Sequence, residues 1–343
     1  MTERAPYKFH FSWPGELIEG RLLRRYHRFL ADVEVDGVGV VTAHCVNSGR
    51  MEGLVVKGAR VWLTKNAAGK KLGYTWQMIE LDGVKIGANT SLPNPIVQSM
   101  LRAQCREGAE PSDVTPWFSR AKSARFEVAY GSHSRVDAVL HEDDGAMNML
   151  EIKNVHLVYP DGGAYFPDSV SERATKHMRE LTAIAKEGER ATVLFLIQRE
   201  DAKFLRPSDV HDPEFAAAAR AAGAAGVRIL AIVFRATNEG LVFEREVPVD
   251  LAPYDTTQAK AWMEALRSTT GWERPKRADS AESDDEPEAP TKKSAKEAAQ
   301  KSAKPAAKKA AKKAAKKRAA KATKKTAAKV SSKPAAKKTA KKR

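Results

Sequence analysis

The run Arg135-Val-Asp137-Ala-Val-Leu140, the polar turn His141-Glu-Asp-Asp144-Gly145 and the run Met149-Leu-Glu151-Ile-Lys153-Asn-Val155 decide the reading of this chain. Two alternating runs rich in β-branched residues flank Asp144-Gly145, the pattern of an antiparallel hairpin. Asp137 and Glu151 are equidistant from position 144. A symmetric hairpin therefore sets them directly opposite each other on one face, with Cβ atoms about 5 Å apart. Two facing carboxylates repel unless a cation lies between them. Lys153 lies two residues beyond Glu151 and points to the same face. The spacing predicts Asp137 and Glu151 as ligands of a hard divalent cation, Mg²⁺, with an ammonium group beside it. The bland alternative is a surface hairpin with charges on its solvated face, and this stretch alone leaves both open.

The surrounding order narrows the choice. A helix is expected over 95–106, with Pro95 in its first turn. Strands follow at 125–130, 135–140 and 149–155, then a helix over about 171–187 and a buried strand at 191–198. Gly188 closes that second helix, whose Met178, Leu181, Ile184 and Ala185 form an apolar stripe. Asp212-Pro213 caps a further Ala-rich helix, and 227–234 reads as a last central strand. This αβββαβ order, with D…E-x-K on the second and third strands, resembles the PD-(D/E)XK nuclease core. That resemblance implies Asp137 and Glu151 on Mg²⁺ and Lys153 on the attacking water, with Glu127 on the first strand as an accessory carboxylate. Arg173, Lys176 and His177 lie in the first turns of the second helix. Arg173 and Lys176 there can hold phosphates, with a solvated face as the alternative. His177 can serve as a general acid or base, although a lone helical His is more often structural.

Residues 16–90 read as five or six short strands, with turns at Asp36-Gly37, Ala68-Gly69 and Asp82-Gly83. A small OB-like barrel fits. Its strands are expected at 17–23, 29–35, 38–43, 54–64, 74–81 and 84–86. Arg21, Arg24, Arg25, Tyr26, His27 and Arg28 form a basic and aromatic cluster suited to a nucleic-acid surface. The alternative is a solvated edge with Tyr26 in the core. The loop Asn47-Ser-Gly49-Arg50 presents donors that can bind a phosphate. Cys45 beside His44 is a poor catalytic pair, because adjacent strand residues point to opposite faces.

Charge divides the 343-residue chain sharply. Residues 291–343 hold 22 Lys and Arg against one acid, Glu297, and the remaining 290 residues hold 37 against 42. The net +16 is therefore a mildly acidic body with an intensely basic end. Such a Lys/Ala/Pro array resembles a linker-histone tail. It is expected to be disordered alone and to bind DNA without sequence preference and in a salt-dependent way, with RNA as an alternative polyanion. Residues 279–288 form an acidic linker before it. Two distant cysteines suggest reduced thiols and a cytoplasmic protein, and the basic tail suggests one associated with the nucleoid. No signal peptide and no apolar run long enough to span a bilayer is seen, so no membrane partner is expected. The domains are read as 1–92, OB-like; 93–256, nuclease-like; 257–290, a helical segment and acidic linker; and 291–343, the basic tail.

Several long motifs then converge: Arg25-Tyr-His-Arg-Phe-Leu-Ala-Asp-Val33, Ala43-His-Cys-Val-Asn-Ser-Gly-Arg-Met51, Asn89-Thr-Ser-Leu-Pro-Asn94, Ser134-Arg-Val-Asp137, Glu151-Ile-Lys153 and Phe166-Pro-Asp-Ser-Val-Ser-Glu-Arg-Ala-Thr-Lys-His177. Over roughly 16–253 the chain resembles the sugar fermentation stimulation protein A (SfsA) family. The resemblance implies an OB-like domain followed by a PD-(D/E)XK-like domain, non-specific DNA binding and a regulatory role in sugar, notably maltose, metabolism. A Mg²⁺-dependent nuclease acting on DNA or RNA is the alternative function. The basic tail lies outside the resemblance.

Overall fold

A computed structural model describes residues 7–130 and 134–271. The acidic linker and the basic tail lie outside the described residues. Strand β1 (His10–Ser12) comes first, followed by a five-stranded barrel of β2 (Leu17–Tyr26), β3 (Leu30–Val35), β4 (Gly39–His44), β5 (Arg60–Lys65) and β6 (Tyr74–Leu81), with β7 (Val84–Gly87) added at the side of β6. The strands are ordered β4-β3-β2-β5-β6-β7, and β4 pairs with β6 through Ala43–Tyr74 and His44–Thr75, which closes the barrel. Closure removes the free edges that an open sheet of this size would expose. Leu22, Ala31, Val33, Trp76 and Ile79 fill the interior.

Asp36-Gly37 makes the expected tight turn between β3 and β4, with Gly37 at φ 72°. The apolar run 54–64 behaves differently. Only Arg60–Lys65 is strand. The preceding residues turn repeatedly, with Met51, Gly53 and Gly58 all at positive φ. Leu54 is nevertheless buried, as a loop residue plugging the barrel core.

The larger domain is α/β. It contains α1 (Pro93–Gln104), β8 (Ala121–Tyr130), β9 (Ser134–Glu142), β10 (Met147–Val155), β11 (Gly163–Phe166), α2 (Glu172–Lys186), β12 (Arg190–Ile197), β13 (Phe204–Pro207), α3 (Pro213–Ala224), β14 (Arg228–Ala236), β15 (Gly240–Val247) and α4 (Thr257–Ala265). Seven strands form one sheet in the order β1-β15-β14-β12-β10-β9-β8. Its centre, β10-β12-β14, is parallel, and antiparallel pairs flank it. β1 belongs to this sheet, so the chain starts in the large domain's sheet before it builds the barrel.

Alternation along β12 shows why both faces are covered. Leu194 and Leu196 face α1, while Val193, Phe195 and Ile197 face α2 and α3. A strand buried on both sides reads as a continuous apolar run. Ser171 caps α2 by accepting the Ala174 N–H, and Asp212 caps α3 by accepting the Phe215 N–H at 2.9 Å. Each cap satisfies a donor that the first helical turn leaves over. Among the described residues, no helix is long and apolar enough to cross a membrane.

Barrel and sheet are joined by buried polar contacts. Glu52 accepts from Tyr159 Oη at 2.6 Å and lies 2.8 Å from His211 Nε2, whose Nδ1 is 2.7 Å from Ser208 Oγ. The order Ser208–His211–Glu52 has the outline of a nucleophile, base and orienting acid. Ser208 is wholly buried, so no substrate reaches it, and the group is a structural joint.

Candidate active site

The β9–β10 hairpin has the register expected from its midpoint: His141 pairs with Met147, Leu140 with Asn148, Val139 with Met149 and Ala138 with Leu150. The ladder stops there, one pair short of Asp137 and Glu151. The Asp137 side chain takes the place of the next ladder acceptor: its Oδ2 receives the Ile152 N–H at 2.7 Å. Its Oδ1 receives Asn94 Nδ2, from the start of α1, at 2.8 Å. The strands part where both carboxylates sit, and among the described residues the far half of β10 keeps ladder pairing with β12 alone.

Glu151 is buried. Its Oε1 takes a 2.6 Å hydrogen bond from Lys153 Nζ and meets His177 Nδ1, with Lys153 Nζ and His177 Nδ1 3.4 Å apart. His177 reaches it from the second turn of α2. Burial pushes the Glu151 carboxyl up, but the hydrogen bonds and charges of His177 and Lys153 outweigh this and hold it below its ordinary value. Asp137 goes the other way. Burial first, and the Glu151 charge second, raise it, against the Ile152 N–H, Asn94 and Lys153. Glu151 is thus neutralised by its neighbours, while Asp137 carries the cost of a buried like charge.

Asp137 and Glu151 are the two carboxylates here that could take a divalent cation. Among the described residues, no three His, Cys, Asp or Glu side chains converge as a metal cage. Mg²⁺ keeps several waters and is commonly bound through one or two carboxylates. A divalent cation between Asp137 and Glu151 would remove the repulsion that raises the Asp137 carboxyl.

The remaining residues expected at the site fall in several places. Glu127 lies on β8 between Phe126 and Val128, which pair with Ala138 and Val136. It is thus across from Asp137, but it is exposed and has the left-handed φ of 52°. Arg173 and Lys176 are exposed on α2, with Lys176 3.5 Å from Glu180.

The basic and aromatic cluster requires a correction. Arg25 is not on the surface: it is fully buried, and its guanidinium donates to the carbonyls of Arg28, Gly271, Asn47 and Gly49. The strand bulges between a buried Leu22 and Arg24, which turns Arg25 inward. Arg24 and Tyr26 do reach solvent, but both are tied to Asp32, at 2.9 and 3.0 Å, with Arg24 stacked over the Tyr26 ring. Cys45 is buried, and burial pushes its thiol up, so it is no nucleophile.

Arg28, Asn47 and Arg50 meet elsewhere. They line a cavity of about 670 Å³ between barrel and sheet, with Asp168, Ser169, Val170 and Ser171 at the start of α2, and with Asn154 and His156. Sequence reading gave no role to Asn94, His156 or Asp168. Asn94 and Asp168 both fall within long family motifs, but no local pattern in the sequence names the partner of either.

Comparison with known proteins follows this geometry. Residues 91–240 match the family model described as the sugar fermentation stimulation protein RE domain, and residues 23–88 match the SfsA N-terminal OB domain. The chain is 40% identical over 242 residues to a sugar fermentation stimulation protein homolog of Maricaulis maris, covering 70% of this chain and 99% of that one. It is 42% identical over 237 residues to the homolog of Citrifermentans bemidjiense, covering 69% and 98%. A solved structure, Pyrococcus furiosus SfsA in complex with Ca²⁺, matches with a TM-score of 0.62 at 24% identity, covering 70% of this chain and 98% of that one. This last likeness concerns the fold.

Proposed function

The chain belongs to the sugar fermentation stimulation protein family, and from that membership and its charged groups we propose that it binds DNA without sequence preference and carries a Mg²⁺-dependent phosphodiester-hydrolysing site in its α/β domain. The single observation behind hydrolysis is the group at the parting of β9 and β10: Asp137 held by Ile152 N and Asn94, and Glu151 held by Lys153 and His177. Binding rests on the 22 cations of residues 291–343, which would attract any phosphate backbone and release its counterions. A regulatory role in sugar use, which the relatives' name carries, is read as a consequence of that binding.

Asp137 and Glu151 would hold the cation. When bound, it supplies Lewis-acid polarisation of a phosphoryl oxygen and neutralises developing charge. Lys153 stands on the same carboxylate and orients the attacking water, with its ammonium offsetting the negative charge that grows on the phosphate. His177 fixes Glu151 from the helix side. Asn94 and the Ile152 N–H keep the Asp137 carboxylate aimed at the parting of the strands.

A second reading, binding and regulation without cleavage, is favoured by Glu151 itself, whose charge is met by Lys153 and His177 with no cation needed. One experiment separates the two. Plasmid, single-stranded DNA and RNA are incubated with the full chain and Mg²⁺ or Mn²⁺, beside Lys153→Ala and Asp137→Ala. Metal-dependent cleavage lost in both variants supports hydrolysis. Undiminished DNA binding with no cleavage in any combination refutes it and leaves the binding protein.

A further inference from the structure

The cavity between barrel and α2 lies outside the carboxylate group, and its lining is chemically mixed. Arg28 and Arg50 stand exposed at its rim, and among the described residues neither guanidinium has an ion-pair partner. Ser169 and Ser171 place it at the N-terminus of α2, a helix of 15 residues whose dipole favours an anion there. Helix ends are common, and this one alone would signify little.

The second observation is buried polar atoms with nothing to bind. Asn47 is 2% exposed and its Nδ2 has no hydrogen-bond partner, although its Oδ1 accepts the Gly49 N–H at 2.8 Å. His156 is also buried, at 6% exposed. Its Nε2 lies 3.4 Å from Asp168 Oδ2 without hydrogen-bond alignment, so it too lacks a bonded partner. Buried donors left over cost free energy and are usually satisfied by a ligand or water. Asn154 Nδ2 is 3.3 Å from His156 Nδ1, and Gln198 holds Asn154 Oδ1 in turn, so the floor is braced from the sheet.

Asp168 excludes the simplest occupant. Its carboxylate lines the same cavity, so a bare anion would meet repulsion as well as attraction. A ligand that carries both a phosphate and hydroxyl donors uses the whole lining: phosphate with Arg28, Arg50 and the helix end, hydroxyls with Asp168. Val170, 72% exposed, stands at the lip as an apolar contact for a flat ring. About 670 Å³ is ample for one such unit. We propose that this cavity is a binding site for a nucleotide phosphomonoester, either free or as the phosphorylated end of a strand. The site does not depend on hydrolysis at Asp137 and Glu151.

The test uses the full chain without divalent cation and at one fixed salt concentration, so that the basic tail contributes equally throughout. Binding of deoxyadenosine 5′-monophosphate, deoxyadenosine and inorganic phosphate is measured by calorimetry for wild type, Arg50→Glu and Asn47→Ala. The monophosphate is expected to bind more tightly than either fragment. Arg50→Glu, on an exposed side chain, should weaken it about tenfold or more, as for the loss of a charge-assisted contact. Asn47→Ala should do likewise if its melting temperature is kept. A 5′-phosphorylated single strand competing at least tenfold better than its 5′-hydroxyl form assigns the strand end as source, and equal competition assigns the free nucleotide. Binding that ignores the phosphate, or that is unchanged in Arg50→Glu, overturns the proposal. Loss of DNA cleavage would not bear on it.

Discussion

Replacing Arg25 separates a structural strut from a DNA contact. The guanidinium is wholly enclosed and donates from Nε to Arg28 O at 3.1 Å, from Nη1 to Gly271 O at 2.7 Å, and from Nη2 to Asn47 O at 2.8 Å and Gly49 O at 3.0 Å. Arg25→Ala leaves these carbonyls without their donors and opens a cavity. Each hydrogen bond from a charged donor is worth about 1.5–3 kcal/mol, and such losses are not additive. Removing one side of a buried charged contact costs about 3–5 kcal/mol, and we expect Arg25→Ala to fall in that range. That is a large share of the roughly 5–15 kcal/mol that holds a domain folded. The thermal midpoint should drop by about 10 °C. Arg25→Lys, with three donors and no planar fork, should recover only part of this. Arg24→Ala is the control: its pair with Asp32 is half exposed and should cost about 1 kcal/mol or less. Unfolding in urea gives the stabilities, and DNA affinity against salt gives the second readout. A phosphate contact adds about 0.9 to the slope of log K against log salt, so the Arg25→Ala slope should match wild type. A variant as stable as wild type with a slope reduced by about one would overturn this assignment and return Arg25 to the DNA surface.

Other expectations are briefer. Glu52→Ala strands His211 and Tyr159 in the joint and should cost about 3 kcal/mol in denaturant unfolding, with Glu52→Gln losing less. Burial pushes Asp168 up, but the His156 contact and the Met51 N–H outweigh it and hold the carboxyl at about 2. Its stabilisation is therefore complete above the ordinary 3.8 and is lost as pH falls through about 2. Asp168→Asn should flatten that acid limb and cost about 2 kcal/mol at neutral pH, read from stability against pH. Truncation before residue 291 should remove most of the salt dependence of DNA binding, a slope near −9 if about ten phosphates are paired. Deletion of residues 279–288, if they compete for the basic end, should tighten binding, and an unchanged affinity would reject that competition.

The sheet was legible wherever a pattern was local. The midpoint at Asp144 gave the β9–β10 register, and the apolar run 192–197 gave a strand buried on both faces. The Asp212 cap was readable because a helix start needs a side-chain acceptor at that position. Three features were not. The end of the β9–β10 ladder depends on the Asp137 side chain replacing a backbone acceptor, which no propensity encodes. The pairing of β1 with β15 joins segments more than 200 residues apart, as Phe11 with Leu241. The apolar run from Leu54 carried strand-like residues, but Gly53 and Gly58 turn the backbone, and Leu54 is buried from a loop instead. Arg25 was misplaced for a related reason: a dense basic run reads as surface until the carbonyls that enclose one member are known.

One strand links the two sites by its pleat alone. Side chains alternate along β10, so Glu151 and Lys153 project towards α2, while Asn154 and, just past the strand end, His156 project towards the barrel and its cavity. A one-residue slip of β10 against β12 would exchange the two sets of side chains. Pairing along the whole of β10, from Asn148–Arg190 to Val155–Ile197, opposes such a slip, and the apolar residues of β12 fill both cores only in this register. The carboxylate group and the cavity lining are therefore fixed by the same packing. Substitutions that loosen β10 should disturb both together, whereas exposed rim changes such as Arg50→Glu should leave the carboxylate group untouched.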